Sequence, residues 1–193
     1  MKIILASKSG VRKNILNKNN IDCEVVPSNV DEDQIKEALL SEKATPELIS
    51  KNLAEVKSSR VSLKYPDRIV LGADSVIDYN GKLISKPKSR GEALKILEEL
   101  NGKKHQLISS VCICKNGSMI WNYTDSSNLT MKKLNLDQIK SYLNKIKDKV
   151  LYAYGVYQIE ADGRSLFSKI EGDEDTIMGL PVKQIKQYLT QMK

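Results

Sequence analysis

The 193-residue chain is predicted to be an α/β protein built around a mixed sheet. Two patterns carry that expectation. Strand-like and helix-like segments alternate through the first half. Two Asn-Gly dipeptides, Asn80-Gly81 and Asn116-Gly117, mark tight hairpins, whose central residues need positive φ. Hairpins bring antiparallel neighbours into a sheet that a strict βαβ series would keep parallel. With 40% hydrophobic residues the chain suits one domain over residues 1–193.

Taken in order, residues 2–6 read as a buried strand and residues 9–18 as a helix with Val11, Ile15 and Leu16 on its apolar face. Residues 22–27 form a second strand ending at Pro27, and Asp31–Leu40 is helical. Thr45 as N-cap and Pro46 at the first helical position start another helix. It is expected to turn Leu48, Ile49, Leu53 and Val56 inward and to carry Lys57 on its last turns. Ile69-Val70-Leu71 is an aliphatic strand that leads to Asp74 at its end. After the reversal at Asn80-Gly81 comes a helix over Arg90–Leu100, stopped by Asn101-Gly102. Gln106–Cys114 and Ser118–Tyr123 pair about Asn116-Gly117, and residues 127–133 add a further strand. Leu136–Ile146 is an amphipathic helix, strands follow near Val156–Glu160 and Leu166–Ile170, and a helix from Val182 to Met192 closes the chain after Pro181.

Composition narrows the function classes. No segment approaches the ~20 apolar residues of a membrane helix, and the start is too short for a signal peptide. Cys23, Cys112 and Cys114 form no CxxC pair, and a single histidine gives little support to a zinc site, so a reduced, cytoplasmic protein is expected. The net charge of +7 favours phosphate-bearing partners. Only five of the 31 basic residues are arginine, and no aromatic-rich basic patch accompanies them, so nucleic acid is not the expected partner.

Three stretches could carry chemistry. Gly72-Ala73-Asp74-Ser75 and Ser85-Lys86-Pro87 put a carboxylate on a strand and an amine just past a hairpin, close enough to hold a metal and a polyphosphate. Alone, the same residues also suit a turn-forming Asp and a solvated Lys. Ser7-Lys8-Ser9-Gly10-Val11-Arg12 places hydroxyls and a guanidinium where a strand runs into a helix, and free N–H groups at a helix start attract anions. It lacks the two glycines of a Walker loop, and an ordinary Ser-capped helix fits it equally well. Asp31-Glu32-Asp33 is either a helix start or a source of a second carboxylate for Mg²⁺ beside Asp74. The acidic loop Glu171–Asp175 reads as a solvated turn before Gly179-Leu180-Pro181.

Read together and in order, five motifs resemble the Maf family of nucleoside triphosphate pyrophosphatases from residue 3 to about 190. They are Leu5-Ala6-Ser7-x-Ser9-x-x-Arg12-x-x-x-Leu16, Gly72-Ala73-Asp74-Ser75, Lys86-Pro87, Leu100-Asn101-Gly102-x-x-His105 and Gly179-Leu180-Pro181. The resemblance implies a two-lobed molecule with a long mixed β-sheet flanked by helices and a central cleft, similar to the inosine-triphosphate pyrophosphatases. It implies hydrolysis of a nucleoside triphosphate between the α and β phosphates, a divalent metal cation (Mg²⁺ or Mn²⁺), and a homodimer. Asp74 then stands at the catalytic aspartate, and Lys86 at the lysine after the hairpin. Ser7, Ser9 and Arg12 match the phosphate loop, Glu32 the acidic position that joins Asp74 on the metal, and Lys57 the helical lysine. Ser75 and Glu160 would contact sugar or base. The chain departs from the family in keeping one arginine where two are common, and in placing Glu160 where glutamine is common, which bears on base preference. His105, at a strand entrance, is expected to be structural or exposed rather than a general base. The alternative reading is a nucleotide-binding regulator of division or growth with little turnover.

Overall fold

The computed structural model describes residues 2–192. Its centre is a seven-stranded mixed sheet. β1 (Ile3–Leu5) pairs in parallel with β2 (Cys23–Val25) on one side and with β3 (Val70–Tyr79) on the other. β4 (Lys82–Ile84) folds back on the end of β3 through the Asn80-Gly81 turn, where both residues take positive φ as their types allow. β5 (Lys104–Lys115), β6 (Ser118–Met131) and β7 (Phe167–Glu171) then add on antiparallel, giving the order β2-β1-β3-β5-β6-β7.

The helices are α1 (Gly10–Lys18), α2 (Glu32–Ser41), α3 (Pro46–Ser62), α4 (Arg90–Leu100), α5 (Leu136–Lys145), α6 (Asp148–Tyr154), α7 (Glu174–Ile177) and α8 (Val182–Gln191). Their starts follow the chemistry of the sequence: Ser9, Asp31, Thr45 and Ser89 each accept a backbone N–H, and Asn135 with Gln138 closes a capping box.

Two main cores lie at opposite ends of the long β3–β5 pair. One joins Leu71, Ala73, Val111 and Ile113 with Ile15, Leu16, Ile185 and Leu189 of α1 and α8. The other joins Leu107, Leu129 and Met131 with Leu97, Leu100, Ile139, Leu143 and Leu151 of α4, α5 and α6. Between them, around Asp74–Ile77, the cleft opens. Among the described residues no helix is long and apolar enough to cross a membrane.

Several expectations need correction. Asp74 lies in the middle of β3, not at its end, because Val76 and Ile77 continue the strand and pair with Ile108 and Leu107. The separate strands at 118–123 and 127–133 are one strand, β6, since Thr124, Asp125 and Ser126 keep pairing with β5. Val156–Glu160 is not a strand. Gly155 turns the chain at φ 99°, and the segment curls so tightly that a Cβ on Gly163 would lie 2.4 Å from the Gln158 carbonyl oxygen. On α3, Ile49 and Leu53 face inward, but Leu48 and Val56 are exposed. Beside Ile49, Leu53 and Val61, the inner face carries the small residues Ser50, Ala54, Ser58 and Ser62, with Lys57 among them.

Candidate active site

The cleft between the two cores encloses about 420 Å³ and is lined by Ser7, Ser9, Arg12, Glu32, Lys57, Asp74, Ser75, Lys86 and Glu160. All nine residues singled out in the sequence therefore share one cavity, although they come from α1, α2, α3, β3 and the loops after β1, β4 and α6.

Asp74 is 5% exposed, which would be prohibitive for a carboxylate without a partner. Its partner is Lys57, whose Nζ lies 2.7 Å from Asp74 Oδ1. The same ammonium lies 2.8 Å from Glu32 Oε1, so Lys57 bridges the two carboxylates. Lys57 reaches Asp74 because α3 packs unusually close to β3 at Gly72, where a Cβ would stand 2.2 Å from the Ala54 carbonyl oxygen. Ser50 Oγ donates to the Asp74 backbone carbonyl and fixes the strand from the same helix. Asp74 Oδ2 is buried and has no hydrogen-bond partner.

The pair suggested by the sequence, Asp74 with Lys86, is thus replaced by a different one. Among the described residues Asp74's ion partner is Lys57, and Lys86 acts on the cluster at longer range. Partial desolvation in the cleft draws the Lys86 ammonium below its usual pKa, against the pull of Glu32 and Asp74. Glu32 sits in the first turn of α2, behind the Asp31 N-cap, and also approaches Lys36 at 3.9 Å. Burial opposes its charge, but Lys57 first, then Lys86 and Lys36, outweigh that and hold its pKa below the ordinary glutamate value. Asp31 and Asp33 take the plainer roles: Asp31 caps the helix and Asp33 is exposed.

Arg12 uses its fork on the protein. Nε donates to the Gly179 carbonyl at 2.9 Å, Nη1 to the Ala73 carbonyl at 3.0 Å and to Ser7 Oγ at 3.4 Å, and Nη2 to Ser75 Oγ at 3.1 Å. Ser75 Oγ also shares a hydrogen bond with Ser109 Oγ, which donates to the Thr176 carbonyl. Arg12 therefore ties α1, β3 and the loop before α8 into one wall. Burial lowers the Arg12 pKa, and Asp74 and Glu32 oppose that shift. Ser9 caps α1 on the Arg12 N–H, and Ser7 Oγ accepts the Ser9 N–H. Ser7, Ser9 and Arg12 are thus preorganised by hydrogen bonds among themselves.

Glu160 lies exposed at the other end of the cleft, beside Tyr157, Gln158 and Ile159. His105 does not line the cavity. It is 2% exposed, packs against Tyr157 and Phe167, and bonds Tyr157 Oη through Nε2 at 2.8 Å. Burial lowers its pKa to about 4, so it is neutral, as a structural residue should be. Sequence reasoning passed over Lys36, whose i,i+4 spacing from Glu32 was the available signal. It also passed over Ser109 and Ser50, which carry no local signal at all.

Comparison with known proteins gives a consistent result. The family model described as Maf-like protein matches residues 2–192. A protein of Pelagibacter ubique named nucleoside triphosphate pyrophosphatase is 68% identical over 191 residues, covering 99% of this chain and 98% of that one. A Brucella abortus protein named 7-methyl-GTP pyrophosphatase is 34% identical, covering 100% of this chain and 97% of its own. Among solved structures, a HAM1 protein from Coxiella burnetii superimposes over 99% of both chains with a TM-score of 0.52 at 13% identity, a likeness of fold.

Proposed function

The chain belongs to the Maf-like protein family, and on that footing we propose that it is a nucleoside triphosphate pyrophosphatase. The observation that carries the reading is the buried Asp74–Lys57 ion pair, joined by half-buried Glu32, at the floor of a cleft whose walls bear Ser7, Ser9, Lys36 and Lys86. In the reaction, water attacks the α-phosphorus. The bond from that phosphorus to the bridging α,β oxygen breaks, and the products are the nucleoside monophosphate and pyrophosphate.

Phosphoanhydride hydrolysis depends on positioning and charge neutralisation more than on covalent chemistry. Asp74 Oδ2, lacking any protein partner, accepts a hydrogen bond from the attacking water, orients it and takes its proton as the P–O bond forms. Lys57 and Lys86 offset the charge that builds on the phosphate oxygens and on the leaving pyrophosphate. Ser7 and Ser9 offer hydroxyl donors, and Arg12 keeps that loop and Ser75 in register. Glu160 and the residues beside it receive the base end of the nucleotide.

The donor set fits a divalent cation. Asp74 and Glu32 face a common point, Asp74 has an unsatisfied buried oxygen, and Mg²⁺ typically uses one or two carboxylates plus substrate phosphate. Among the described residues no three or more His, Cys, Asp or Glu converge, so phosphate oxygens and water would have to complete the coordination. When bound, Mg²⁺ or Mn²⁺ supplies neutralisation of the triphosphate and a more acidic water.

The test is a turnover screen with Mg²⁺ over standard and base-modified nucleoside triphosphates, 7-methyl-GTP included, read as pyrophosphate released. Pyrophosphate from at least one substrate is expected. Binding without release would instead support a regulator, and orthophosphate would indicate a different phosphatase.

A further inference from the structure

Lys57 is the one side chain among the described residues that contacts both carboxylates of the cluster, at 2.7 Å and 2.8 Å. Its ammonium occupies the space between Asp74 and Glu32. A divalent cation liganded by both carboxylates, at ~2.0–2.1 Å for Mg²⁺, would sit within a few ångströms of that ammonium, and two positive centres so close repel each other strongly. We infer that Lys57 is the resident counter-ion of the Glu32–Asp74 pair and competes with the divalent cation, so that the cation binds well only when substrate phosphates offer the ammonium another partner. The inference rests on the reading above that these two carboxylates hold the cation.

The side chain is built for such an exchange. α3 is held against β3 at Gly72, so the helix stays in place while the four-carbon stem swings. The cleft wall beyond the cluster is basic, with Lys36 and Lys86, and a triphosphate drawn there brings oxygens within range of the released ammonium. Competition of this kind makes nucleotide and divalent cation strengthen each other's binding by equal factors, since linkage is reciprocal. A Lys57 that served only to hold the fold would produce no such antagonism.

The experiment measures Mn²⁺ binding by electron paramagnetic resonance, without nucleotide, for the wild-type protein, Lys57→Met and Lys57→Arg. Removing the charge should tighten Mn²⁺ binding by about tenfold or more, whereas the arginine variant should bind no tighter than wild type. A Lys57→Met protein that binds Mn²⁺ no tighter than wild type overturns the inference. Should that variant not fold, the wild-type protein decides. Its Lys57 ammonium signal, followed by ¹H–¹⁵N NMR, should move as Mg²⁺ shifts the Asp74 carboxyl resonance. A Lys57 signal that stays fixed while the carboxyl shifts would show that the ammonium is not displaced. Absence of pyrophosphate release in the turnover screen would sink the proposed function, yet leave the Mn²⁺ comparison readable, so the two failures are distinct.

Discussion

Gly72→Ala tests whether the close approach of α3 to β3 builds the site. A methyl group at Gly72 would stand 2.2 Å from the Ala54 carbonyl oxygen, 2.8 Å from the Ser58 backbone nitrogen and 2.9 Å from Ser58 Cβ. None of these atoms can rotate away. Restoring an ordinary 3.4 Å contact to the Ala54 oxygen requires the helix to retreat by 1.2 Å, the difference between 3.4 and 2.2 Å. Overpacking of this kind destabilises by ~1–3 kcal/mol, and backbone obstacles place this case near the top of the range. For a domain of this size ~3 kcal/mol lowers Tm by roughly 6–12 °C. The same retreat displaces the stretch of α3 from which Lys57 and Ser50 reach Asp74, by about the 1 Å that upsets a catalytic arrangement. Turnover should therefore fall by about a hundredfold in the fraction that remains folded. Gly10→Ala is the control: a Cβ there meets nothing within 4 Å, so that variant should be neutral or up to ~1 kcal/mol more stable. Thermal melting and a pyrophosphate assay on both variants read the result. A Gly72→Ala protein that melts within about 2 °C of wild type at full turnover would refute the reasoning.

Three further outcomes are expected. Asp74→Asn keeps the shape but loses the proton acceptor, and should lower kcat by roughly a hundred- to ten-thousand-fold while circular dichroism stays native; near-normal turnover would remove Asp74 from its assigned role. Arg12→Lys cannot reproduce the bonds to Gly179, Ala73 and Ser75, and should cost roughly 2–3 kcal/mol by urea denaturation, with a raised KM. His105 gives a pH signature: its folded pKa of about 4 lies below the ordinary 6.5, so the unfolded chain takes the proton first as pH falls. Stability on this account is full above pH 6.5, drops as pH falls towards 4 and levels off below that, a loss of about 2 kcal/mol between pH 7 and pH 5. His105→Gln should flatten that slope, and an unchanged slope in urea midpoints would assign it to other groups.

Local chemistry made much of the fold legible. The caps at Thr45 and Ser9, and the positive-φ turn at Asn80-Gly81, are decided by residues within four positions of each other, and they fall where the sequence places them. What escaped depends on distant partners. The four-residue α7 and seven-residue α6 are too short for a helical period to show. Apolar spacing alone turned Leu48 and Val56 inward on α3, because it could not register that the helix must present small residues to Gly72. Motif order singles out residues that share the cleft, yet it does not give their pairing. Lys57 and Asp74 are 17 positions apart on a helix and a strand, and no spacing rule joins them. Lys86, which the hairpin does bring near, was the visible candidate and the more distant one.

On the proposed function, the charge of the cleft favours binding nucleotide and divalent cation together. Its lining carries five basic side chains, Lys8, Arg12, Lys36, Lys57 and Lys86, against three acids, Glu32, Asp74 and Glu160, a surplus of two positive charges. A triphosphate, at roughly −3 to −4, exceeds that surplus, and one divalent cation closes the gap. The cation alone would add to an already positive cleft and would have to displace Lys57 from two carboxylates. The triphosphate alone would leave part of its charge uncompensated. Each ligand therefore removes the penalty that the other meets.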